Sequence, residues 1–292
     1  MQDLARIKSL LASRGLRPNR KLGQNFLHEP VRVARLVASA ELEAGDVVLE
    51  VGPGTGALTE ALLEAGARVV ACELDEGLAD LIDEEVRPIA DGRLELVRGD
   101  CLGRGRRLAS AARDAIDAAM AAEGRTSFRL VSNLPYQAAS PLMAELLLHH
   151  PDCHGQFVTI QKEVADRLTA GPGTKAYGTL GIIVQAFGTP RRVDVLPPGC
   201  FWPAPKVTSA AVAIHRRSDA DRPTPLADPE SGEGFARFLN TIFSQRRKQL
   251  GSVLGRDREW PEGITPDLRP EAVSVDGLAR LWEACGRPVD GI

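Results

Sequence analysis

The stretch Val47-Val48-Leu49-Glu50-Val51-Gly52-Pro53-Gly54-Thr55-Gly56 decides the fold of this chain. Apart from Glu50, its first five residues are aliphatic and mostly β-branched, which predicts a parallel strand buried on both faces. Three glycines at alternate positions then allow a sharp turn and bring bare backbone close to a ligand. A helical pattern from Thr55 to Ala65 follows. Together they predict the first half of a nucleotide-binding α/β unit, although a purely structural turn between strand and helix is the alternative.

The charge near the glycines indicates which ligand the loop binds. A pyrophosphate loop usually reads G-x-G-x-x-G and ends on a helix N-terminus. Here Gly52, Gly54 and Gly56 follow the pattern G-x-G-x-G, and Glu50 precedes them. A carboxylate at that position would repel a pyrophosphate, but it suits a cationic ligand that carries an amino group and a sulfonium. The stretch therefore favours S-adenosylmethionine.

Composition limits the class of protein. The chain has 292 residues, of which 43% are hydrophobic, so it is long enough for one large domain and a small one. We find no apolar run that could span a membrane and no signal-peptide pattern. The five cysteines form no C-x-x-C pair, which predicts reduced thiols in a cytoplasmic protein. The histidines between His149 and His154 lack metal-site spacing, so we expect no metal, and we expect a monomer.

The formal net charge of −3 conceals a strong asymmetry along the chain. Residues 1–36 carry eight basic and two acidic side chains, whereas residues 41–100 carry four basic and sixteen acidic ones. Residues 191–217 and 235–258 are again basic, with net charges of +4 and +5. Basic flanks around an acidic nucleotide-binding core indicate a polyanionic partner, although any one patch alone is typical of solvated surface.

Two acidic residues are expected at the ligand edge of the sheet, where open α/β folds bind their ligands. Glu73 ends the predicted strand at residues 68–74, about 20 residues after the glycine loop, the spacing at which a carboxylate holds the ribose hydroxyls. Asp100 follows the predicted strand at residues 94–97 and would reach the adenine amino group. For Glu73, a solvated strand end is the alternative.

The sharpest chemical signal is Asn133-Leu134-Pro135-Tyr136, which follows a predicted buried strand. The lone pair of an exocyclic amine is delocalised into its base, so a methylating enzyme must favour the pyramidal form of the amine. The Asn133 side chain and the Leu134 carbonyl could accept hydrogen bonds from that amine, and Pro135 would fix the turn. Tyr136 offers a face on which the base can stack. The alternative is a strand-ending turn with a buried tyrosine.

A second candidate site is the loop Phe201-Trp202-Pro203-Ala204-Pro205-Lys206-Val207. Its prolines stiffen an extended loop that displays two aromatic rings and a cation. Phe201 could close the other face of a flipped-out adenine, and Lys206 could contact a phosphate. The alternative is a hairpin loop whose aromatic rings lie in the core.

The rest of the chain predicts a two-domain organisation. Residues 1–217 form the α/β domain with a basic N-terminal arm, and residues 218–233, rich in Pro, Asp, Ser and Gly, form a linker. Helical periodicity in residues 234–292 predicts a small α-helical domain. Within the α/β domain, we expect an exposed helix from Leu108 to Met120. We also expect a helix from Pro141 to Leu148.

With these motifs in order, the chain resembles the ribosomal RNA adenine N6-dimethyltransferase family, the kasugamycin-sensitivity methylases. The resemblance covers nearly the whole length. The motifs that carry it are Leu22-Gly23-Gln24-Asn25-Phe26-Leu27, Glu50 to Gly56, Glu73-Leu74-Asp75, Gly99-Asp100, Asn133 to Tyr136, Phe201 to Val207, Gln245-Arg246-Arg247-Lys248 and Arg269 to Ser274.

The resemblance implies a Rossmann-like S-adenosylmethionine-dependent methyltransferase sheet with a small C-terminal α-helical domain. The implied substrate is a pair of adjacent adenosines in the 3′-terminal hairpin of 16S rRNA, within a small ribosomal subunit or its precursor, and each adenosine receives two methyl groups. The implied cofactor-binding residues are Gln24, Asn25, Leu27, Glu50, Gly52, Gly54, Gly56, Glu73, Asp100 and Asn133. The residues expected to contact RNA are Lys21, Lys206, Arg246, Arg247 and Lys248.

Two departures from the family pattern and two rival functions bear on this interpretation. Gln137-Ala138-Ala139 replaces the Asn-Ile that commonly follows the tyrosine, and the stretch from Leu102 to Ser127 is longer than usual. The nearest rival is the sister group that methylates large-subunit rRNA and confers macrolide resistance, but the cluster from Gln245 to Lys248 favours the small-subunit type. The other rival is a non-enzymatic assembly or transcription factor, which need not keep Asn133 to Tyr136.

Overall fold

The computed structural model of the chain describes residues 2–228 and 231–287. Its strands are β1 (Phe26–Leu27), β2 (Val47–Val51), β3 (Arg68–Glu73), β4 (Leu94–Arg98), β5 (Phe128–Asn133), β6 (Cys153–Gln161), β7 (Gly188–Leu196), β8 (Phe201–Trp202) and β9 (Ser209–Arg216). Its helices are α1 (Leu4–Ser13), α2 (Pro30–Ser39), α3 (Ala57–Glu64), α4 (Glu76–Glu85), α5 (Ser110–Glu123), α6 (Tyr136–His149), α7 (Lys162–Leu168), α8 (Thr179–Phe187), α9 (Ser231–Ser244), α10 (Leu250–Leu254) and α11 (Val275–Ala284).

The α/β class predicted from the sequence is confirmed. Seven strands form one sheet in the order β4-β3-β2-β5-β6-β9-β7, and the pairs from β4 through β6 are parallel. All five residues of β2 are buried, as expected for a strand covered on both faces. The chain continues from β2 to β3 on one side and later to β5 on the other. The order therefore reverses beside β2, and ligands of such sheets bind outside the carboxyl ends at that point.

Helix α1 packs against α4 and the segment that forms β1. Its buried face, Ile7, Leu10 and Leu11, forms a cluster with Phe26 and with residues of α4. Ion pairs also join two arginines of the N-terminal segment to Glu84 and Glu85 on α4, with nitrogen–oxygen distances of 2.6–2.9 Å. The basic N-terminal segment is therefore anchored by apolar contacts as well as by charge.

Two predictions about helices were wrong. Helix α5 was expected to be exposed, but its residues Ala112, Ile116, Ala119 and Met120 are buried. These positions recur at helical spacing, and the many surrounding alanines obscured that stripe. Helix α6 begins at Tyr136 rather than at Pro141. Proline is favoured in a first helical turn, but here it lies inside the helix and removes one backbone hydrogen bond.

The chain divides into two compact units. The first comprises residues 1–146, 152–165 and 191–214, and the second comprises residues 147–151, 166–190 and 215–292. In the second unit the rings of Phe235 and Trp282 lie 5.8 Å apart, and the Tyr177 hydroxyl donates to the Val273 carbonyl at 2.9 Å. The first contact joins α9 to α11, and the second joins the segment before α8 to the segment before α11.

The segment predicted as a linker, residues 218–233, contains ordered contacts of its own. Leu226 is fully buried, and the Arg222 guanidinium lies 5.3 Å from the centroid of the Phe187 ring. Pro229 and Glu230 of this segment, and residues 288–292 of the predicted helical domain, lie outside the described residues. A division into independently folding domains at residues 217 and 234 remains a prediction. No helix in residues 2–228 and 231–287 is long and apolar enough to cross a membrane.

Candidate functional site

A cleft of about 410 Å³ opens at the carboxyl ends of the parallel strands of the first unit. Its walls are the loops that follow β2, β3, β4 and β5, together with the segment around β1. The residues of the predicted site that line it are Lys21, Gln24, Asn25, Leu27, Glu50, Gly52, Gly54, Glu73, Asp100, Asn133, Leu134, Pro135, Tyr136 and Phe201.

The glycine loop forms the floor of the cleft. Gly52 and Gly54 have φ angles of +71° and +62°, a left-handed backbone that other residues rarely adopt. A Cβ atom on Gly54 would lie 2.9 Å from the Phe26 ring, and one on Gly52 would lie 3.2 Å from Pro135. Bare backbone is therefore required here both by conformation and by space, which fits a loop that a ligand approaches closely.

Within the first unit, Gly56 and Lys206 are the predicted site residues that lie outside the cleft lining. A Cβ atom on Gly56 would come within 2.5 Å of the Val86 side chain, so this glycine is required for the contact between the loop and the residue that follows α4. Lys206 is exposed on the loop after β8. No described side chain of the cleft pairs with its ammonium group, so that group is accessible to a phosphate.

Glu73 ends β3 with its carboxylate held inside the cleft. Its Oε2 accepts from the Gly54 backbone N–H at 3.2 Å, and its Oε1 accepts from the Asp75 N–H at 2.9 Å. Burial raises the pKa of this carboxyl, and the two backbone donors oppose that shift. Each oxygen retains a second lone pair that can accept from a diol.

The side chains of Gln24 and Asn25 hold the segment before β1 in place. Gln24 accepts from the Asn19 N–H at 2.7 Å and donates to Asp75 at 3.1 Å, while the Asn25 amide donates to the Gly23 carbonyl at 3.0 Å. Both ends of the Gln24 amide and the nitrogen of the Asn25 amide are thus engaged within the protein. These contacts hold the segment before β1 against the cleft, and cofactor binding by the two residues remains a prediction.

Glu50 is the most deeply buried acid of the cleft, with 1% of its surface exposed. Its Oε2 accepts from the Thr59 hydroxyl of α3 at 2.7 Å. Burial raises the pKa of Glu50 to about 8, while the Thr59 hydrogen bond lowers it and the neighbouring Glu73 raises it. A cation bound nearby would favour the ionised form of this carboxyl.

Strands β1 and β8 bring two distant motifs together. They pair antiparallel, with Phe26 opposite Trp202 and Leu27 opposite Phe201. The Phe26 and Trp202 rings stack with centroids 6.5 Å apart. Phe201 is 3% exposed and belongs to the core cluster, as expected from the alternative in which this aromatic ring lies in the core. The residue also borders the cleft.

Asn133, at the end of β5, has a fixed side-chain orientation. Its Nδ2 donates to the Asn25 carbonyl at 3.0 Å, and its Oδ1 accepts from the Thr159 hydroxyl. Because a carbonyl oxygen can only accept, the Asn25 contact identifies the nitrogen of the amide and turns the oxygen toward Thr159. That oxygen has a second lone pair available for a donor in the cleft.

Residues Leu134 and Tyr136 complete this wall. The Leu134 N–H donates to the Thr159 carbonyl at 3.2 Å, and the Leu134 carbonyl has no hydrogen-bond partner among the described residues. Tyr136 is half-buried, and its hydroxyl lies 2.8 Å from the hydroxyl of Ser209. Burial raises the pKa of the phenol, so the tyrosine stays neutral. The hydrogen bond fixes one end of the ring, whose face borders the cleft.

The opposite end of the cleft contains Asp100 and a pair of thiols. Asp100 is exposed, and its Oδ1 accepts from the Leu102 N–H at 2.9 Å. Cys72 and Cys101 are buried free cysteines that border the cleft. A hydrogen bond with Cys72, together with burial, raises the pKa of the Cys101 thiol. No disulfide joins any two of the five cysteines, all of which lie within the described residues.

The basic cluster after α9 belongs to the second unit and has two different roles. The Arg246 guanidinium donates to the Glu271 carboxylate and, at 2.9 Å each, to the backbone carbonyls of residues 174 and 175. Arg247 and Lys248 are exposed. Arg246 therefore joins segments of its own unit, and its two neighbours are the ones that present charge to solvent.

Sequence reasoning missed the residues that support the site from behind. Thr159 and Ser209 hold Asn133 and Tyr136 by hydrogen bonds across neighbouring strands or loops. Thr159 lies on β6 directly beside Asn133 in the parallel register. Functional side chains concentrate at the ends of parallel strands, so the position of Thr159 near the end of β6 could have indicated its role. The sequence around Ser209 contains no comparable signal.

The arrangement suits transfer of a group to an exocyclic amine. An oriented amide oxygen and an unpartnered carbonyl lie at the end of β5, and an aromatic face borders them. Buried carboxyls lie on the neighbouring strands β2 and β3, near bare backbone. Such a site can hold a planar base by its N–H groups and a cationic ligand beside it, so that geometry carries most of the acceleration.

Comparison with known proteins gives a family match. The model of the family described as ribosomal RNA adenine dimethylase matches residues 15–282. Proteins called ribosomal RNA small subunit methyltransferase A are similar over nearly the whole chain. The one from Bifidobacterium longum is 37% identical over 97% of this chain and 94% of its own length. The one from Magnetococcus marinus is 38% identical over 96% of each chain.

Solved structures support the same fold. A dimethyladenosine transferase from Plasmodium falciparum is 25% identical, with a TM-score of 0.59 over 80% of this chain and 75% of that chain. The 23S rRNA methyltransferase ErmE has a TM-score of 0.63 over 90% of this chain and 100% of its own, at 24% identity. The likeness to the second structure is one of fold alone.

Proposed function

Because the chain belongs to the ribosomal RNA adenine dimethylase family, we propose that it dimethylates N6 of two adjacent adenosines in the 3′-terminal hairpin of 16S rRNA. The methyl donor is S-adenosylmethionine, and the substrate is the small ribosomal subunit or its precursor. A monomeric state and a cytoplasmic location are part of this proposal. The observation that carries it is the fixed orientation of the Asn133 amide beside the unpartnered Leu134 carbonyl.

The residues of the cleft fit the cofactor. Gly52 and Gly54 bring bare left-handed backbone to the floor of the cleft, and the buried Glu50 provides negative charge for a cationic ligand. We assign Glu73 to the ribose hydroxyls and Asp100 to the adenine amino group. When bound, S-adenosylmethionine supplies a methyl group on a positively charged sulfur.

The wall formed by β5 and α6 holds the target base. The Asn133 oxygen and the Leu134 carbonyl accept from the two N–H groups of the adenine amine, which favours its pyramidal form. The Tyr136 ring stacks on the base, and Phe201 limits the space beyond it. No residue of the cleft is needed as a general base, because the methylated ammonium can lose its proton to water.

The comparisons favour the small-subunit substrate over the two rivals. Relatives at 36–38% identity over almost full length are named for the small subunit, whereas the likeness to the 23S enzyme concerns fold alone. A non-enzymatic factor would have no need for an amide oriented from two sides. The direct test is tritiated methyl transfer to undermethylated small subunits, followed by nucleoside analysis of the rRNA. Absence of labelled dimethyladenosine would contradict the proposal.

Glu73→Ala is expected to weaken binding of S-adenosylmethionine by about 1.5–3 kcal/mol, the usual loss for a charged hydrogen bond. The substitution also leaves the Gly54 N–H without its carboxylate partner. Calorimetric titration measures the effect. Glu76→Ala is the matched control, because it removes the same charge three residues away at a side chain that is 73% exposed and pairs with Arg98. Wild-type affinity in the Glu73 variant would remove this residue from the cofactor site.

Cofactor affinity is expected to rise with pH below about 8, because burial raises the pKa of Glu50 to about 8. The bound cation favours ionised Glu50 and lowers its pKa, so below that value binding must release a proton and each added pH unit strengthens it by up to about tenfold. Above pH 8 the Glu50 contribution levels off. Calorimetry at pH 7 in buffers of different ionisation enthalpy should detect close to one proton released per site.

Glu50→Gln is the control for this pH dependence. The glutamine keeps the shape of the side chain and its hydrogen-bonding contact with Thr59, but it cannot titrate. Proton release attributable to Glu50 should disappear in this variant. The same release in both proteins would assign the linkage to another group, such as the amine of the cofactor.

A further inference from the structure

A short basic loop lies at the rim of the cleft between β4 and α5. Three of its five residues are arginines, in the order Gly103-Arg104-Gly105-Arg106-Arg107, and we call it the arginine loop. Gly103 and Arg106 are among the residues that line the cleft. The site described above assigns no role to this loop, which belongs to the stretch in which the sequence departs from the family pattern.

The arginine loop is closed by its own backbone. The Gly103 N–H donates to the Arg107 carbonyl at 2.8 Å, and a β-bridge joins Leu102 to Leu108 at its base. Gly105 and Arg106 both have left-handed φ angles, +68° and +60°. Arginine in that conformation is strained, and such positions concentrate at functional sites. The loop therefore has a defined shape before it meets any ligand.

A buried carboxylate connects the arginine loop to the wall that holds the target base. Glu145 on α6 is 7% exposed, and its two oxygens accept from the Leu108 N–H at 3.3 Å and from Arg107 at 3.4 Å. The same helix begins at Tyr136. At its other end the loop is held by the Leu102 N–H, which donates to Asp100. The arginine loop is thus anchored at both of its ends, to α6 through Glu145 and to the segment after β4 through Asp100.

Arg104 and Arg106 differ from Arg107 in their surroundings. Both are exposed, and within residues 2–228 and 231–287 neither guanidinium has a hydrogen-bond or ion-pair partner. Two unneutralised guanidinium groups in one closed five-residue loop add positive charge to the rim of the cleft and attract an anion. Because Arg107 is engaged with Glu145, the loop presents a pair of cations that is separate from its structural arginine.

The cofactor, in the orientation assigned above, cannot supply an anion that binds Arg104 and Arg106. Asp100, which borders the same rim, is assigned to the adenine, and the adenine end of S-adenosylmethionine has no acidic group. A nucleic-acid strand presents one phosphate per nucleotide, so neighbouring phosphates can meet neighbouring cations, and guanidinium groups bind phosphate oxygens in a bidentate manner. We propose that Arg104 and Arg106 bind two backbone phosphates of the RNA beside the target adenosine and thereby align that strand with the cleft.

This inference rests on the proposed function, since it requires an RNA substrate. It is tested with Arg104→Ala/Arg106→Ala in the full-length protein, by measuring affinity for undermethylated small subunits over a range of salt concentrations. Each lost phosphate contact lowers the slope of log K against log salt by about 0.7–0.9, so the double variant should lose about 1.4–1.8. We expect KM to rise about tenfold or more, with kcat and cofactor affinity close to wild type.

Two further variants sharpen the test. Arg104→Lys/Arg106→Lys keeps both charges and should restore most of the salt slope. Arg106→Gly removes one guanidinium at a position whose left-handed backbone glycine adopts without strain, and it should lower the salt slope by about 0.7–0.9. An unchanged slope in the alanine variant, with wild-type protein methylating subunits normally, would overturn the role of the arginine loop and leave the proposed function intact. Failure of wild-type protein to bind or methylate subunits would instead contradict the proposed function itself.

Discussion

Asn133→Ala is expected to slow methyl transfer to small subunits by about 10²–10³-fold, by analogy with the loss of a single oxyanion-hole donor. The amide oxygen is oriented by Thr159 and by the Asn25 carbonyl, so its free lone pair occupies a defined position in the cleft. Alanine removes that acceptor and leaves the amine planar. RNA affinity should stay near wild type, because it is spread over many phosphates. Single-turnover kinetics with saturating protein measures the transfer step directly.

Two control variants separate the amide oxygen from the support behind it. Asn133→Asp keeps an acceptor of nearly the same shape, but its charge has to share the site with the Asn25 carbonyl, so partial activity is expected. Thr159→Val is nearly isosteric and keeps Asn133 while removing the hydroxyl that orients it. It should show a smaller loss than the alanine variant. If Asn133→Ala transfers methyl at the wild-type rate, the amine is held elsewhere.

The central strand, the glycine loop and the acidic strand ends could be predicted because each is a local pattern. Buried β2 and the left-handed glycines follow from residues that are adjacent in the chain. The general geometry of parallel sheets then predicts that Glu73 and Asn133 lie at one edge, but it does not say which groups support them. Local patterns therefore predicted which residues line the cleft better than they predicted how those residues are held.

What the sequence could not predict depends on contacts between residues far apart in the chain. The pairing of β1 with β8 joins Phe26 to Trp202 and Leu27 to Phe201, and neither two-residue strand has a recognisable pattern of its own. The hydrogen bond between Tyr136 and Ser209 is of the same kind. Helix α5 shows the other limit, because alanines on its exposed faces leave too little hydrophobic contrast to reveal which face is buried.

The basic cluster after α9 shows how structure divides a motif that looks uniform in sequence. Arg246, Arg247 and Lys248 are equally plausible phosphate contacts when read as a run of charge. The carboxylate of Glu271 and two backbone carbonyls occupy the guanidinium of Arg246, so its role is to hold the second unit together. The proposed phosphate contacts of this cluster therefore belong to Arg247 and Lys248, which are exposed.

Tyr136→Ala is expected to slow the transfer step by about 10²-fold, because the target base loses the surface that sets its plane. Stacking on an aromatic ring contributes about 1–3 kcal/mol per base, and misplacement of the amine by about 1 Å adds to that loss. The effect should appear in single-turnover rates on undermethylated subunits, with cofactor affinity close to wild type.

Tyr136→Phe is the matched control, since it keeps the ring and removes only the hydroxyl that lies 2.8 Å from Ser209. Ser209→Ala removes the same hydrogen bond from the other side. Both should be mild and similar to each other, because the face of the ring carries the stacking while the hydroxyl only steadies one edge. If the phenylalanine variant were as slow as the alanine variant, the hydroxyl rather than the ring face would be the essential group, and the stacking role assigned to Tyr136 would be wrong.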